Sequence, residues 1–174
     1  MPGRHRLALG AALVILMIAL GAAGAFAQPA ADLPENAEAG GGEGLTFTRG
    51  GQNHFLRDNR QAGKILVITG LVCNSFDEPR SHIRLRGHLL SGGGENLAHR
   101  EVYAGNVIEE ADLANLPMDQ ILERLQNKDG DQGRNLNLPP GREIPFMLVF
   151  DKLPENMAEY RIDPVSSAPA AAGP

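Results

Sequence analysis

The chain has 174 residues, of which 43% are hydrophobic and 21% are charged, values typical of a globular protein with one domain. Glycine (21) and proline (12) are frequent, aromatic residues make up only 5%, and Cys73 is the single cysteine. This composition excludes a coiled coil, a multi-span membrane protein, a collagen-like chain and a disulfide-rich miniprotein.

The charges are unevenly distributed along the chain. All 21 acidic residues follow position 27, together with all but two of the 16 basic residues. The larger part of the chain is therefore mildly acidic, whereas nucleic-acid binding requires a dense cationic surface. We expect no nucleic-acid partner.

An uncharged run covers residues 7–27, follows two arginines and ends in Ala25-Phe26-Ala27. A basic start, an apolar centre and a small-x-small exit are typical of a secretory signal peptide. The run is also long enough to cross a bilayer, which takes about 20 residues. No Lys or Arg follows until Arg49, so the rest of the chain lies outside the cytoplasm whether the segment is cleaved or kept. We expect residues 1–27 to be a signal peptide or a signal anchor, and the protein to lie on the periplasmic side of the cytoplasmic membrane.

Two segments lack the residues needed for a packed core. Residues 28–44 are rich in Ala, Gly, Pro and Glu, and residues 165–174 have a similar composition. Such segments bury too little apolar surface to order themselves. They are predicted to be a disordered linker and a disordered tail, which leaves residues 45–164 as the folded domain.

Short segments with alternating apolar residues dominate the folded part. Residues 64–74 are apolar on both faces, which is typical of a central strand, and Cys73 is predicted to be a small buried residue within it. Residues 45–49 and 54–57 are predicted to form a hairpin around a Gly-Gly turn. Short strands joined by Gly and Pro turns predict a mainly β, antiparallel β-sandwich. Further strands are predicted at residues 81–91, 97–104, 143–151 and 158–163.

One part of the domain has helical spacing. Within residues 109–126, Met118, Ile121, Leu122 and Leu125 recur at the interval of one apolar helix face. This spacing predicts a short helical insert over an open end or face of the sheets. The strand patterns predict a buried core that consists of Ile65, Val67, Leu71, Ile83, Leu85, Leu89, Ile144, Phe146, Leu148 and Phe150.

A set of turn and strand residues resembles a bacterial family catalogued as domain of unknown function 3426. The similar part covers about residues 62–164 and includes a strand that ends in Asn after a Gly, a Gly turn, and Pro-Gly before a Pro-Phe strand. The matching residues are Gly70, Val72, Asn74, Leu90, Gly94, Pro140, Gly141, Pro145 and Phe146. The resemblance implies an immunoglobulin-like sandwich displayed beyond one membrane-spanning segment. It implies no chemistry, because its motifs are structural turns.

No motif of a known enzyme class occurs in the chain. It contains no nucleophile elbow, zinc-protease motif or phosphate-binding loop, so we expect no catalytic residue and no cofactor. Asn127, Asp129 and Asp131 resemble the start of a calcium loop. However, Gln132 stands where such a loop needs glycine, and Leu138 where its closing glutamate belongs. We therefore assign no metal ligand and interpret the segment as a solvated turn, with a weak calcium site as the alternative.

The strand at residues 80–88 is basic on one side. Period two puts its even-numbered residues on one face and apolar residues behind them. This basic ladder consists of Arg80, His82, Arg84, Arg86 and His88. It is a candidate binding surface for an anionic ligand, a lipid headgroup or an acidic partner, since arginine makes bidentate contacts with carboxylates and phosphates. The alternative is a solvent-facing strand whose charges are neutralised by acids on its neighbours.

The Gly turn at residues 92–94 sets the register of the hairpin that it closes. A register that pairs Arg86 with Glu101 on one side also sets apolar residues against apolar residues on the other. The same register puts Arg100 on the apolar side opposite Gly87. We expect the Arg100 head group to lie in water at the rim or to pair with an acid.

We interpret the chain as a non-catalytic envelope domain, exported or anchored by residues 7–27, that presents a sandwich surface to a protein or cell-wall partner. Arg86 is expected to be occupied by Glu101, whereas Arg80 and Arg84 remain available to that partner. The alternative is a periplasmic domain that binds a small anionic ligand through the basic ladder or a metal ion through residues 127–135. We expect no enzyme, because no convergent set of acid and base residues is evident.

Overall fold

The computed structural model describes residues 44–170. The elements in this range are β1 (Leu45–Phe47), β2 (Asn53–Asn59), β3 (Gly63–Asn74), β4 (Arg80–Ser91), β5 (Asn96–Tyr103), α1 (Glu110–Asn115), α2 (Met118–Leu125), β6 (Glu143–Phe150) and β7 (Met157–Pro169). A turn of 3-10 helix, Asp131–Gly133, lies in the loop between α2 and β6. The predictions for residues 1–27, for residues 28–43 and for the last four residues fall outside the described range.

The strands form two antiparallel sheets. In the first sheet β3 is central, with β6 along one edge and β2 and β1 along the other. In the second sheet β4 lies between β5 and β7. The prediction of a mainly β, immunoglobulin-like sandwich with a short helical insert is confirmed. No helix within residues 44–170 is long and apolar enough to cross a membrane.

The main core lies between the two sheets, where β3 and β6 face β4. Gly87 of β4 brings the sheets close together, since a Cβ atom there would lie 2.9 Å from Cδ1 of Leu148 and 3.3 Å from the ring of Phe150. All of the predicted core residues are buried except Leu71, which is half-buried. Burial of each large apolar side chain stabilises the fold by about 1.5–3 kcal/mol.

The helical insert is fastened to β2. Glu110 of α1 forms an ion pair with Arg57 of β2 at 2.6 Å. The Asn59 side chain donates hydrogen bonds to the carbonyl groups of Leu113 and Leu116, both at 2.8 Å. These bonds satisfy carbonyl groups that the end of a helix leaves without partners. They hold α1 against the first sheet.

The insert covers the outer face of the first sheet only halfway along β3. Ile65 and Val67 point away from the second sheet and are nevertheless fully buried. Leu71 and Cys73 point to the same side but lie beyond the insert, and both are half-buried. Leu71 and Cys73 are therefore less buried than predicted, because the two short helices do not cover the whole strand.

β1 and β2 do not pair with each other, in contrast to the predicted hairpin. Phe47 of β1 pairs with Val72, and Asn53 of β2 pairs with Thr69, so both strands follow the same edge of β3. The segment between them, which includes Gly50 with φ 72°, interrupts this edge without reversing the chain. Pairing with the long apolar β3 buries more apolar surface of the two short strands than pairing with each other would.

β7 continues past the point where a disordered tail is predicted. Residues 165–169 belong to the strand, and Ala168 pairs with Ser81. The amide of Ala170 donates to the carbonyl of Pro79 at 2.9 Å. The prediction of a disordered tail is therefore wrong for residues 165–169, because pairing with β4 orders a segment that its own composition does not order.

The predicted register of β4 and β5 is confirmed. Arg86 pairs with Glu101, and Gly87 pairs with Arg100. The guanidinium of Arg100 lies 3.0 Å from the carboxylate of Asp151 at the rim of the core. The expected pairing of Arg100 with an acid is confirmed as well.

Candidate functional site

The basic ladder lies on the outer face of the second sheet. Ile83, Leu85 and Leu89 of β4 are buried between the sheets, so the residues that alternate with them point outward. Because β4 is the central strand, each ladder residue has neighbours on both sides, either from β5 and β7 or from loops.

Glu101 of β5 forms ion pairs with two arginines of the ladder. Arg86 Nε donates to Glu101 Oε1 at 2.9 Å, and Arg86 Nη2 bonds the same oxygen. Arg84 Nη1 lies 3.3 Å from Oε2 of the same carboxylate. The hydrogen bond from Arg86 outweighs the opposing effect of burial and, with the charge of Arg84, holds the pKa of Glu101 below its ordinary value. The expectation that Glu101 occupies Arg86 is confirmed.

Arg84 retains unused hydrogen-bonding capacity. Its side chain is 37% exposed, and its ion-pair partner among the described residues is the carboxylate that Arg86 also uses. Its Nε is buried and has no hydrogen-bond partner within residues 44–170. Tyr103 lies directly opposite on β5 and is half-buried. We call Arg84, Arg86, Glu101 and Tyr103 the Arg84 patch.

Arg80 is not available to a partner, contrary to the expectation. Its side chain is only 11% exposed and forms an ion pair with Glu78 at 2.6 Å. Its guanidinium donates to the hydroxyl of Ser167 at 3.0 Å and to the carbonyl of Ser167 at 2.9 Å, and it lies 4.2 Å from the centre of the Phe76 ring. Ser167 belongs to the part of β7 predicted as a tail, so the error about the tail and the error about Arg80 have one cause.

His88 lies near one negatively charged and one positively charged side chain, both from β7. Its Nε2 is 3.5 Å from Oδ2 of Asp163 on β7, and Arg161 Nε donates to the same oxygen at 3.0 Å. The His88 ring centre lies 6.1 Å from that of His99 on β5. Within residues 44–170, no group of three or more His, Cys, Asp or Glu side chains is placed to hold a metal ion.

The loop after α2 holds the first part of β4. Asn135 is fully buried; its Oδ1 accepts from the amide of Ile83 at 2.9 Å, and its Nδ2 donates to the Ile83 carbonyl at 3.1 Å. His82, whose φ is 53°, donates its amide to the Asn135 carbonyl, and its Nε2 lies 3.1 Å from Oδ1 of Asp129. The loop therefore takes the place of β5 beside this part of β4 and fixes His82.

The polar side chains of the calcium-like segment bind protein groups. Asp129 pairs with His82, and Oδ2 of Asp131 accepts from the amide of Val107 at 2.9 Å. Oδ1 of Asn127 accepts from the amide of Asp129 at 3.3 Å. These contacts stabilise the loop itself and lend no support to the metal-ion alternative.

The acids around the ladder neutralise most of its charge. Among the described carboxylates that pair with the ladder, Glu101 is the one that forms ion pairs with two arginines. The structure thus brings Arg84 and Arg86 together, whereas Arg80, His82 and His88 each have a separate acid. The ladder residues pair with Glu78, Glu101, Asp129 and Asp163. The excess of positive charge is at the Arg84 patch.

Sequence reasoning missed most of these acidic partners. Asp163 lies in a predicted strand and alternates with Tyr160 and Ile162, which are buried. That alternation is a signal that could have placed Asp163 on the outer face beside the ladder. Asp129 and Asn135 carry no such signal, because an irregular loop positions them.

Comparison with protein families identifies the chain. The model of the family described as Protein of unknown function (DUF3426) matches residues 49–164, which is more than half of the sequence. The chain belongs to this family. No curated protein matches the chain, and no solved structure matches it.

In this member of the DUF3426 family, residues of the shared pattern shape the sandwich. A Cβ atom at Gly70 would lie 2.6 Å from the ring of Phe146, so only glycine lets this ring lie against β3. The buried Asn74 side chain donates to the carbonyl groups of Glu78 and Leu138, both at 2.9 Å, and thereby fixes the turn after β3. These residues of the pattern serve the fold, and they assign no chemistry to the surface.

Proposed function

We propose that the domain is a non-catalytic interaction module of the bacterial envelope, and that its Arg84 patch contacts a carboxylate of a protein partner. The observation that carries the proposal is the shared acid: Glu101 carries one negative charge and serves both Arg84 and Arg86. One guanidinium charge is left over at a partly exposed position. The carboxylate of a protein side chain is a group that an arginine fork binds through two hydrogen bonds.

The shape of the surface favours a protein over a small molecule. The Arg84 patch lies on the outer face of a sheet, whereas sites for small molecules are concave. Arginine and tyrosine are the residue types that most often anchor protein interfaces, and Arg84 and Tyr103 lie side by side here. The half-buried phenol of Tyr103 would shield an ion pair at Arg84 from water, which strengthens it.

The proposed location rests on the sequence of residues 1–27 and is tested independently. Alkaline phosphatase, which is active only outside the cytoplasm, is fused after Pro174. The fusion is expected to be active, and a matched fusion that lacks residues 7–27 is expected to be inactive. If only a cytoplasmic reporter is active at the same position, the proposed location is wrong.

The patch is tested by photocrosslinking of the full chain in its native host. Tyr103 is replaced by p-benzoylphenylalanine, which keeps an aromatic ring at this position. We expect a protein adduct of defined mass that disappears when Arg84→Glu is added. The matched control is Arg60→Glu, which reverses the charge of an exposed arginine in the β2–β3 turn and is expected to leave the adduct unchanged.

Two results would contradict the proposed contact. An adduct that survives Arg84→Glu would show that the partner binds elsewhere. If no adduct forms and acetate or phosphate instead shifts the Arg84 side-chain NMR signals of the purified chain, the patch is a small-anion site. Both measurements are compared with the Arg60→Glu control.

A further inference from the structure

The outer edge of β7 is a long strand edge. β7 pairs with β4 at the margin of the second sheet and spans residues 157–169. From residue 158 to residue 166, its backbone forms no hydrogen bond to any described residue outside β4. An edge of this kind presents unpaired N–H and C=O groups that can pair with another strand.

The remaining edges of the two sheets are shorter than the edge of β7, and each is contacted at one end or interrupted. On β5, the Gln126 side chain donates to the carbonyl of Glu101 at 2.6 Å. On β6, the amide of Gly105 donates to the carbonyl of Pro145 at 2.7 Å. The edge formed by β1 and β2 is broken between residues 48 and 52. Among the described strands, β7 therefore offers the longest edge for pairing with a further strand.

The outward side chains of β7 are self-complementary. Glu159, Arg161 and Asp163 alternate with Tyr160 and Ile162, which are buried. When two identical strands pair antiparallel, the position of the two-fold axis decides which residues lie opposite each other. An axis at Tyr160 sets Arg161 opposite Glu159 of the second copy, twice per dimer. An axis at Arg161 would set arginine against arginine and Glu159 against Asp163, which is repulsive.

An axis at Ile162 also opposes unlike charges but fits the structure less well. It would set Arg161 opposite Asp163, a carboxylate that Arg161 already contacts within its own strand at 3.0 Å, and so would bring no new acid to Arg161. It would also place Pro164, which has no N–H, inside the new ladder. Glu159, in contrast, is exposed and forms no ion pair with another described residue. The axis at Tyr160 uses this free carboxylate.

We propose that the occupant of this edge is a second copy of the chain, paired antiparallel through β7 about Tyr160. The second sheets of the two copies then form one continuous sheet. This dimer does not depend on the Arg84 patch, because β4 separates β7 from Tyr103 and Glu101 of β5.

The register is tested by disulfide formation in the full chain, purified in detergent. Cys73→Ser removes the native thiol, and Glu159→Cys or Arg161→Cys is added to it. Residues opposite each other in an antiparallel pair lie within disulfide range. A mixture of the two variants is expected to form a linked dimer, whereas each variant alone is expected to form little. No linked dimer in the mixture, or equal linking of each variant alone, would overturn the proposed register.

A charge swap tests the contact without cysteines. Sedimentation velocity of the full chain is expected to show a dimer. Arg161→Glu and Glu159→Arg are each expected to weaken dimerisation by roughly tenfold or more, since each makes two contacts repulsive. The double variant, in which both charges are exchanged, is expected to restore it. Lys128→Glu, at an exposed loop residue, is the matched control.

The outcomes of the charge swap are distinct. A monomer at every concentration overturns the proposal, and so does a dimer that is insensitive to Arg161→Glu. Weakening by both single variants without recovery in the double variant also overturns it, because the two side chains then do not face each other. Circular dichroism of each variant shows that the sandwich has formed.

Discussion

Gly87 and Arg100 face each other across β4 and β5, on the side that packs against the first sheet. Because Gly87 has no side chain, Leu148 and Phe150 approach the backbone of β4 closely. Arg100 extends past the Phe150 ring, 5.7 Å from its centre, and ends at Asp151. A charged residue is thus accommodated at the rim of an apolar core, with its stem on apolar surface and its head group paired.

Gly87→Ala is expected to destabilise the domain. The new Cβ atom would lie 2.9 Å from Cδ1 of Leu148, which is fully buried and has little room to move. Overpacking of this kind costs about 1–3 kcal/mol. The free energy of unfolding is measured by urea denaturation. Gly92→Ala is the control, because its Cβ atom would meet nothing closer than Ala158 at 3.8 Å; equal losses in both variants would contradict the close packing.

Arg80 and Arg84 are expected to respond differently to truncation. Arg80→Ala removes the hydrogen bonds to Ser167 and the contact with Phe76, and should lower the free energy of unfolding by about 2 kcal/mol. Arg84→Ala removes one partly exposed ion pair and should cost less than about 1 kcal/mol. Thermal and urea denaturation of the two variants test this difference. Equal costs would make Arg84 a structural residue and remove the basis of the Arg84 patch.

Asn135→Ala is expected to release the loop that takes the place of β5. It leaves the buried amide of Ile83 without its partner, whereas the Ile83 carbonyl keeps the amide of Ala104 as a donor at 3.0 Å. A buried unsatisfied group costs about 1–3 kcal/mol. We expect lower stability and faster cleavage between residues 127 and 135 in limited proteolysis. Asn96→Ala, at an exposed position on β5, serves as the control. Unchanged cleavage would show that Asn135 does not hold the loop.

Glu101 is expected to make stability depend on acid pH. Its pKa in the folded chain lies below the ordinary value of 4.5, chiefly because Arg86 donates a hydrogen bond to the carboxylate. The ionised group therefore stabilises the fold above about pH 4.5, and this contribution is lost as the pH falls through the lowered pKa. Glu101→Gln should be less stable than the natural chain at pH 7 by about 0.5–1 kcal/mol, and this difference should shrink as the pH falls through the lowered pKa of Glu101.

Two measurements check the role of Arg86 in this dependence. Carbon-13 NMR titration of Arg86→Ala should show the pKa of Glu101 closer to 4.5 than in the natural chain. Denaturation at several pH values compares Glu101→Gln with Glu95→Gln, which removes a carboxylate from the exposed turn before β5. A Glu101 pKa that does not move in Arg86→Ala would argue against the hydrogen bond as its cause.

The sequence predicts those parts of the fold that local patterns determine. The β4–β5 register follows from a tight Gly turn and from the fact that the same register suits the side chains on both faces of the hairpin. Arg86 pairs with Glu101 and Gly87 pairs with Arg100, as this register requires. The helical insert follows from the spacing of its apolar residues. The positions of Leu71 and Cys73 could not be predicted, because their exposure depends on how far two helices extend over another element.

The candidate site is harder to predict, because the polar groups that pair with the ladder come from distant parts of the chain. Asp129, Asp163 and Ser167 reach β4 from a loop and from β7. The ladder itself is visible in the sequence, since its residues belong to one strand. Which of its arginines is occupied depends on sheet order, and alternation within one strand carries no information about sheet order.

The two ends of the described domain leave the sandwich side by side. The carbonyl of Gly44 accepts from the amide of Ser75, and the amide of Ala170 donates to the carbonyl of Pro79, so both ends flank the same turn. A force that pulls Gly44 and Ala170 apart would therefore peel β1 and β7 from their neighbours one hydrogen bond at a time, without loading whole ladders in shear. We therefore expect the domain to unfold at a low force along this direction.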